Sequence, residues 1–258
     1  MKLPSDTASQ VGNVLREAIR GKLKAYKPET ESMPFHHRLL GRDRYAMFSF
    51  IHSFNTTFGV SVWEPVAEIL ARWAKRESAR HIKLRGQIDP ATAQAIEKIY
   101  YDLRKGTRKA DKPKEIAEIK KLIQAGREEL DPDSEIDFFV KVDDEENYFD
   151  ITSAKPNMKE FAALKLKLLR WVALRLSVKK GVTVNSRLAI PYNPYHPEPY
   201  ERWTLSGLYD LKNQEVLVGK DFWNFVAGGD IFESLLDVFQ EVGKSMRKEI
   251  DEGFARFR

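Results

Sequence analysis

The sequence predicts a mixed α/β fold of the α+β type, with a small mixed sheet flanked by helices and preceded by a helical N-terminal portion. Three observations carry that expectation. Apolar residues recur at helical spacing through most of residues 7–129, the texture changes to two acid-bearing apolar runs at 135–142 and 147–154, and helices resume on either side of one further strand. A chain of 258 residues, 42% hydrophobic and 31% charged, has material for a core of useful size.

Taken in order, residues 7–26 place Val11, Val14, Leu15, Ile19 and Leu23 on one side of a helix, and KPETESMP (27–34) reads as a loop. Residues 43–76 carry a long helical pattern, in which Gly59 is expected to end the first helix and Pro65 to sit in the first turn of the second. Phe50, Phe54 and Phe58 share one side of it, as core residues do. Asp89-Pro90 starts a helix through Ile96, Ile99, Tyr100 and Leu103; RKGTRKADKPKE (104–115) reads as a solvated connector, and another helix covers 114–129. The acid-bearing runs form a hairpin across Asp143–Glu146. Asn157 with Glu160 makes a capping box for a helix to about residue 178. Val182, Val184, Ser186, Leu188 and Ile190 alternate along a strand, a proline- and tyrosine-rich connection follows, and the tail holds a short helix at FWNFV and a final helix over 230–254.

Composition excludes several classes of function. With no cysteine there is no disulfide and no thiolate metal site. No run of about 18 apolar residues offers a membrane span, and MKLPSDTASQ lacks the apolar segment of a signal peptide, so a cytoplasmic location is expected. A net charge of +5 favours a polyanionic partner without requiring one.

The chemistry concentrates in the hairpin. Asp137 and Asp150 each interrupt an apolar run, and on adjoining antiparallel strands they aim at one spot. Two carboxylates suit Mg²⁺, which polarises a phosphate and lowers the pKa of its bound water. A lysine beside them stabilises the developing negative charge. Strand alternation puts Asp150 and Thr152 on one face, Ser153 and Lys155 on the other, so threonine stands where a lysine two residues after the acid is expected. Three arrangements are open: a bulge brings Lys155 to the acids, the site runs without a lysine in that place, or Ser153-Ala154-Lys155 takes the register with Glu160 supplying a carboxylate. The preferred set is Asp137 and Asp150 as metal ligands and catalytic acids, with Lys155. Asp143, Asp144, Glu145 and Glu146 read as solvated turn residues.

Four blocks in order, PFHHRLLGRDRYAMFSFIHSFNTTFGVSVWEPVAEILA (34–71), YFDITSAKPN (148–157), IPYNPYHPEPYERW (190–203) and VGKDFWNFVAGGDIFESLLDVFQEVG (218–243), resemble the TdeIII-like type II restriction endonucleases over most of the chain from residue 34. That resemblance implies a PD-(D/E)xK restriction-endonuclease-like core and Mg²⁺-dependent cleavage of double-stranded DNA at a short palindrome of the GGNCC type, with Mn²⁺ able to substitute. It further implies a homodimer matched to the palindrome and a cognate DNA methyltransferase as functional partner. The expected division is a helical portion over 1–130, for dimerisation and DNA contact, packed on a nuclease core over 131–258.

Further candidates follow. Glu64 is read either as a third metal carboxylate or as a first-turn glutamate favoured by the helix dipole. Lys159, Lys165, Lys167, Arg170 and Arg175 are read as phosphate contacts or as a solvated helix face, with Asn157 among the DNA contacts. Arg187, beside Asn185, is the first choice for reading a base edge, followed by Asn193 and Tyr195. The histidines at 36, 37, 52, 81 and 196 lack metal-ligand spacing beyond the His36-His37 pair and read as structural or DNA-contacting. The rival reading is a sequence-specific DNA-binding protein with a decayed nuclease site, motivated by Thr152. A helical protein–protein scaffold ranks third, because it leaves the acids in apolar strands unexplained.

Overall fold

The computed structural model describes residues 1–27, 33–201, 205 and 207–255, apart from the side chains of His37, Pro132 and Asp133. Residues 28–32 of the expected first loop and the end of the 190–203 block lie outside them. In chain order the elements are α1 (Ser5–Ala25), α2 (Pro34–Leu40), α3 (Arg42–Phe58), a π-helical turn (Gly59–Trp63), α4 (Glu64–Trp73), β1 (Ser78–Arg85), α5 (Pro90–Lys105), α6 (Lys112–Leu122), β2 (Leu130–Val142), β3 (Glu145–Ile151), α7 (Met158–Val178), β4 (Thr183–Ile190), β5 (Val216–Val218), α8 (Lys220–Ala227), α9 (Phe232–Ser245) and α10 (Arg247–Ala255). Among the described residues no helix is long and apolar enough to cross a membrane.

The chain divides into two compact units, Met1–Ile69 with Gly229–Arg258, and Leu70–Gly228. That is not the division at residue 130 read from the sequence. β1, α5 and α6 belong with the sheet, and the last two helices belong with the N-terminal segment. In the first unit, Phe50, Phe54 and Phe58 do form the expected packed side. Phe50 stacks on Phe54 at 5.8 Å, Phe54 meets Phe58 edge-on at 4.5 Å, and the series continues through Trp63 to Phe239. Gly59 does not end the helix as expected: with φ −49° it keeps a helical backbone and opens the π turn that leads into α4. The expected final helix is two, parted at Met246.

The second unit holds one five-stranded sheet in the order β1-β2-β3-β4-β5. β1, β2 and β3 pair antiparallel, and β3, β4 and β5 pair parallel. A parallel pair needs a crossover, and α7 supplies it between β3 and β4. Local chemistry fixes its start: the Asn157 side chain accepts from the Glu160 N–H while the Glu160 carboxylate accepts from the Asn157 N–H. α5 is bounded the same way, by Asp89 capping Thr92 N at one end and Gly106 at φ +70° at the other. Phe161, Leu168 and Trp171 of α7 join Tyr148, Val184 and Leu188 in a shared core, while on the other side Phe149 packs edge-on against Phe222 and Phe225 of α8.

Register is what positions the site. Phe138 pairs with Phe149 and Phe139 with Tyr148, so one step further places Asp137 opposite Asp150. Arg80 pairs with Phe138 and Ile82 with Ile136, which puts His81 opposite Asp137. The hairpin turn is Asp143-Asp144, with Val142 paired to Glu145 and Asp143 at φ +53°.

Candidate active site

Asp137 and Asp150 therefore share one face of the sheet, the face that α7 covers. The Asp137 carboxylate accepts from the backbone N–H of Ile151 at 2.7 Å. Asp150, 6% exposed, accepts from Lys167 Nζ at 2.6 Å. Lys167 rises from α7, and its ammonium also lies 4.9 Å from the Trp171 ring centre. The pairing of the two acids expected from sequence is thus present in space, and the lysine that meets them comes from the helix.

Burial, followed by the charge of Asp150, pushes the Asp137 carboxyl up to about 6, while the Ile151 N–H, Lys167 and His81 pull it back. Two carboxylates confined this way resist full ionisation, and a divalent cation between them would relieve the repulsion. The donors are hard oxygens, as Mg²⁺ prefers, and Mg²⁺ is held by one or two carboxylates with waters and phosphate completing its shell. Among the described residues no group of three or more histidines and acids converges into an all-protein cage.

The raised value has a measurable consequence. Between about pH 4 and 6 the folded chain holds a proton on Asp137 that the unfolded chain has released, so stability falls as pH rises through that window and the deficit is complete above it. Asp137→Asn is expected to raise the melting temperature at about pH 8 in chelator and to flatten the profile between about pH 4 and 6. Calorimetry across that range checks it, and an unchanged profile would count against the strained acid pair.

Several residues named from the sequence take other roles. Lys155 does not reach the acids by a bulge: its Nζ lies over the Tyr195 ring at 5.1 Å. Lys165 is no phosphate contact, because it is fully buried between Glu115 and Glu215, with Lys112 joining the same Glu215 carboxylate. Arg187 does not present itself to a base edge. It is 8% exposed, with Nε donating to Asn147 Oδ1 and NH1 to the Gln214 carbonyl, and it lies against the Phe225 ring. Asn185 donates to Glu145 at the opposite end of β3 from Asp150. Asn193 braces its own loop, accepting from Tyr195 N and donating to the Glu198 carbonyl, and Asn157 is committed to capping. Tyr195 lies partly exposed under Lys155, and Lys159 is exposed on the first turn of α7. Glu64 is buried at the start of α4 in the first unit, whereas the acid pair lies in the second.

Two neighbours of the acids were not singled out by sequence. Lys167 stood in the helix pattern as one of several cations, and its separation of 17 residues from Asp150 becomes contact only when α7 folds back over β3. His81 lies on β1, a strand the sequence did not announce, at φ +53° and with Nδ1 3.3 Å from Glu135 Oε1. The signal available was a basic stretch, SARHIKLR, whose polar–apolar alternation is broken at Arg80-His81.

A family model described as type II restriction endonuclease, HinfI, matches residues 3–243. Among characterised relatives, the type II restriction enzyme MjaII of Methanocaldococcus jannaschii is 25% identical over 90% of this chain, which spans 62% of MjaII's length. HgiCII of Herpetosiphon aurantiacus is 24% identical over 88% of this chain and 84% of its own, and HgiEI of the same organism is 22% identical over 88% and 83%. The matching model is HinfI's, whereas the sequence blocks resemble the TdeIII-like group; what the two have in common is the type II restriction endonuclease. A family match running through the whole sheet, the acid pair and α7 leaves one conclusion: the chain belongs to the HinfI family of type II restriction endonucleases.

Proposed function

We propose that the chain hydrolyses phosphodiester bonds of double-stranded DNA at a short palindrome, with Mg²⁺ as cofactor and Mn²⁺ as a working substitute. The observation that carries this reading is the row formed by Asp137 and Asp150 on adjacent strands, with Lys167 held on Asp150 by α7. The order of three antiparallel strands, a crossover helix and a parallel fourth strand suits a PD-(D/E)xK core, with Asp137 and Asp150 as its two acids. Those two residues would hold the cation, which supplies positive charge at the scissile phosphate and a more acidic bound water.

The chain's own side chains supply the rest. Lys167 takes the part that sequence reasoning gave to Lys155: its ammonium, already at the acids, offsets the negative charge that grows on the phosphate. Lys159, Lys155 and Tyr195 are placed on the loops and helix start beyond the C-terminal ends of β3 and β4, where a DNA backbone passing the acids would meet them. A site of the GGNCC type follows from the TdeIII-like resemblance. A palindrome read symmetrically calls for a homodimer, and host protection calls for a cognate methyltransferase. The motive for the rival, a DNA-binding protein with a decayed site, was the missing lysine at Thr152; the contact of Lys167 with Asp150 supports the nuclease reading over it.

Plasmid digestion tests the reading. Discrete fragments are expected with Mg²⁺ or Mn²⁺ and none with chelator, and mapped ends should share one palindromic sequence. Binding without any cut at enzyme excess would favour the rival.

A further inference from the structure

Lys167 reaches Asp150 from a helix, so the contact depends on how α7 is set over the sheet. One residue of helix is about 1.5 Å of rise and about 100° of turn, enough to lose it. The apolar face of α7 does not choose that setting sharply, because burial is non-directional. Hydrogen bonds are directional, and they tie the helix on either side of Lys167. Two residues before it, the Lys165 ammonium donates to Glu115 of α6 at 2.7 Å and to both carboxylate oxygens of Glu215 at 2.6 and 2.8 Å. One residue after it, the Leu168 carbonyl accepts from Ser186 Oγ of β4 at 2.6 Å. The two ties meet, since Lys112 Nζ donates to Ser186 Oγ at 2.8 Å and to Glu215 Oε1 at 2.9 Å. All of these side chains are buried. Burial pushes the Glu215 carboxyl up, and Lys112 and Lys165 more than offset it.

A buried cluster of two lysines and two glutamates is a poor source of stability, because desolvating the charges offsets most of their attraction. What it supplies and apolar packing does not is a fixed direction between elements. Here the elements are α7, which carries Lys167, and β4, which pairs with β3 at Ser186–Tyr148 and at Leu188–Asp150. The helix is therefore tied to the strand beside the one that carries Asp150. We propose that Lys165 and Ser186 are positioning residues for cleavage, fixing α7 so that Lys167 Nζ stays on Asp150. The inference rests on the nuclease reading and on the part given there to Lys167. Neither residue touches the reacting atoms; both act through Lys167.

The test uses two variants of the full chain, each made with and without Lys167→Met. Lys165→Met with Glu115→Gln removes one tie together with one charge of each sign. It leaves Lys112 paired with Glu215, and the glutamine can still accept from the Asp111 N–H. Ser186→Ala removes the other tie. Single-turnover cleavage of a supercoiled plasmid in Mg²⁺ is read beside DNA affinity in Ca²⁺ and the melting curve. Each variant is expected to cleave about 10- to 100-fold more slowly, the size of effect that a misplacement of about 1 Å produces, with DNA affinity unchanged and the protein folded at the assay temperature. On the Lys167→Met background neither change should slow the reaction further, because the group it positions is already gone. A purely structural role would lower the rate on both backgrounds alike. Full-rate cleavage by either variant overturns the proposal, as does a loss that adds in full to that of Lys167→Met, or one matched by an equal loss of DNA affinity. Wild-type protein that leaves the plasmid intact overturns the nuclease reading and this inference together. Slow cleavage by Lys167→Met beside full-rate cleavage by Ser186→Ala and the Lys165 variant overturns the inference alone.

Discussion

Asp150→Ala is expected to abolish DNA cleavage while leaving sequence-specific binding in place. Asp150 lies opposite Asp137 on the neighbouring strand and accepts from Lys167 of α7, so its loss removes a cation ligand and the partner that fixes the lysine. Several kcal/mol of transition-state stabilisation from a bound cation, at about 1.4 kcal/mol per tenfold, corresponds to a rate loss on the order of 10³ or more. Binding should hold or tighten, because the removed group is a negative charge facing a phosphate backbone. Gel shift in Ca²⁺ and single-turnover cleavage in Mg²⁺ separate the two effects. Retained cleavage would remove Asp150 from the mechanism.

The second large effect concerns the lysine. Lys167→Ala is expected to slow cleavage by about 10²–10³-fold, the size found when one group stabilising a developing negative charge is deleted. Lys155→Ala, whose ammonium rests on Tyr195, should change the rate by only a few-fold and act through binding. Lys167→Met serves as the control for fold, since it keeps the aliphatic stem beside Trp171 while removing the charge. A slow Met variant with an unchanged melting curve places the effect in chemistry. The opposite ranking, with Lys155→Ala inactive and Lys167→Ala at full rate, would return the role to the loop.

What the sequence made legible was mostly local. The Asn157–Glu160 box and the Asp89-Pro90 start are written within four residues, and both helices begin where expected. The acid pair was legible for a different reason. An aspartate in the middle of an apolar strand runs against burial, so Asp137 and Asp150 stood out without any tertiary knowledge. Lys167 had no such contrast, because a lysine on an amphipathic helix is ordinary until the helix is docked.

Strand β1 failed to show because an edge strand buries little. Only Leu84 of its eight residues is buried, and pairing with β2 supplies the order that apolar alternation did not. Arg187 was misread by the converse argument. β4 lies between β3 and β5 in parallel pairing, with helices over both faces, so alternation along it does not separate an inward from an outward side. Lys165 followed the same logic. Its charge is met by Glu115 and Glu215 inside the unit, which is the condition under which a lysine survives complete burial.

The two-residue turn at Asp143-Asp144 governs more than the shape of a hairpin tip. Because side chains alternate along a strand, one residue added or lost between Val142 and Glu145 would slide β3 by a single step and turn Asp150 away from Asp137. The separation of the acids along the chain is therefore held by parity. A change of two residues in that turn is survivable in principle, and a change of one is not, so relatives that vary in loop length elsewhere should keep the odd or even count of this one.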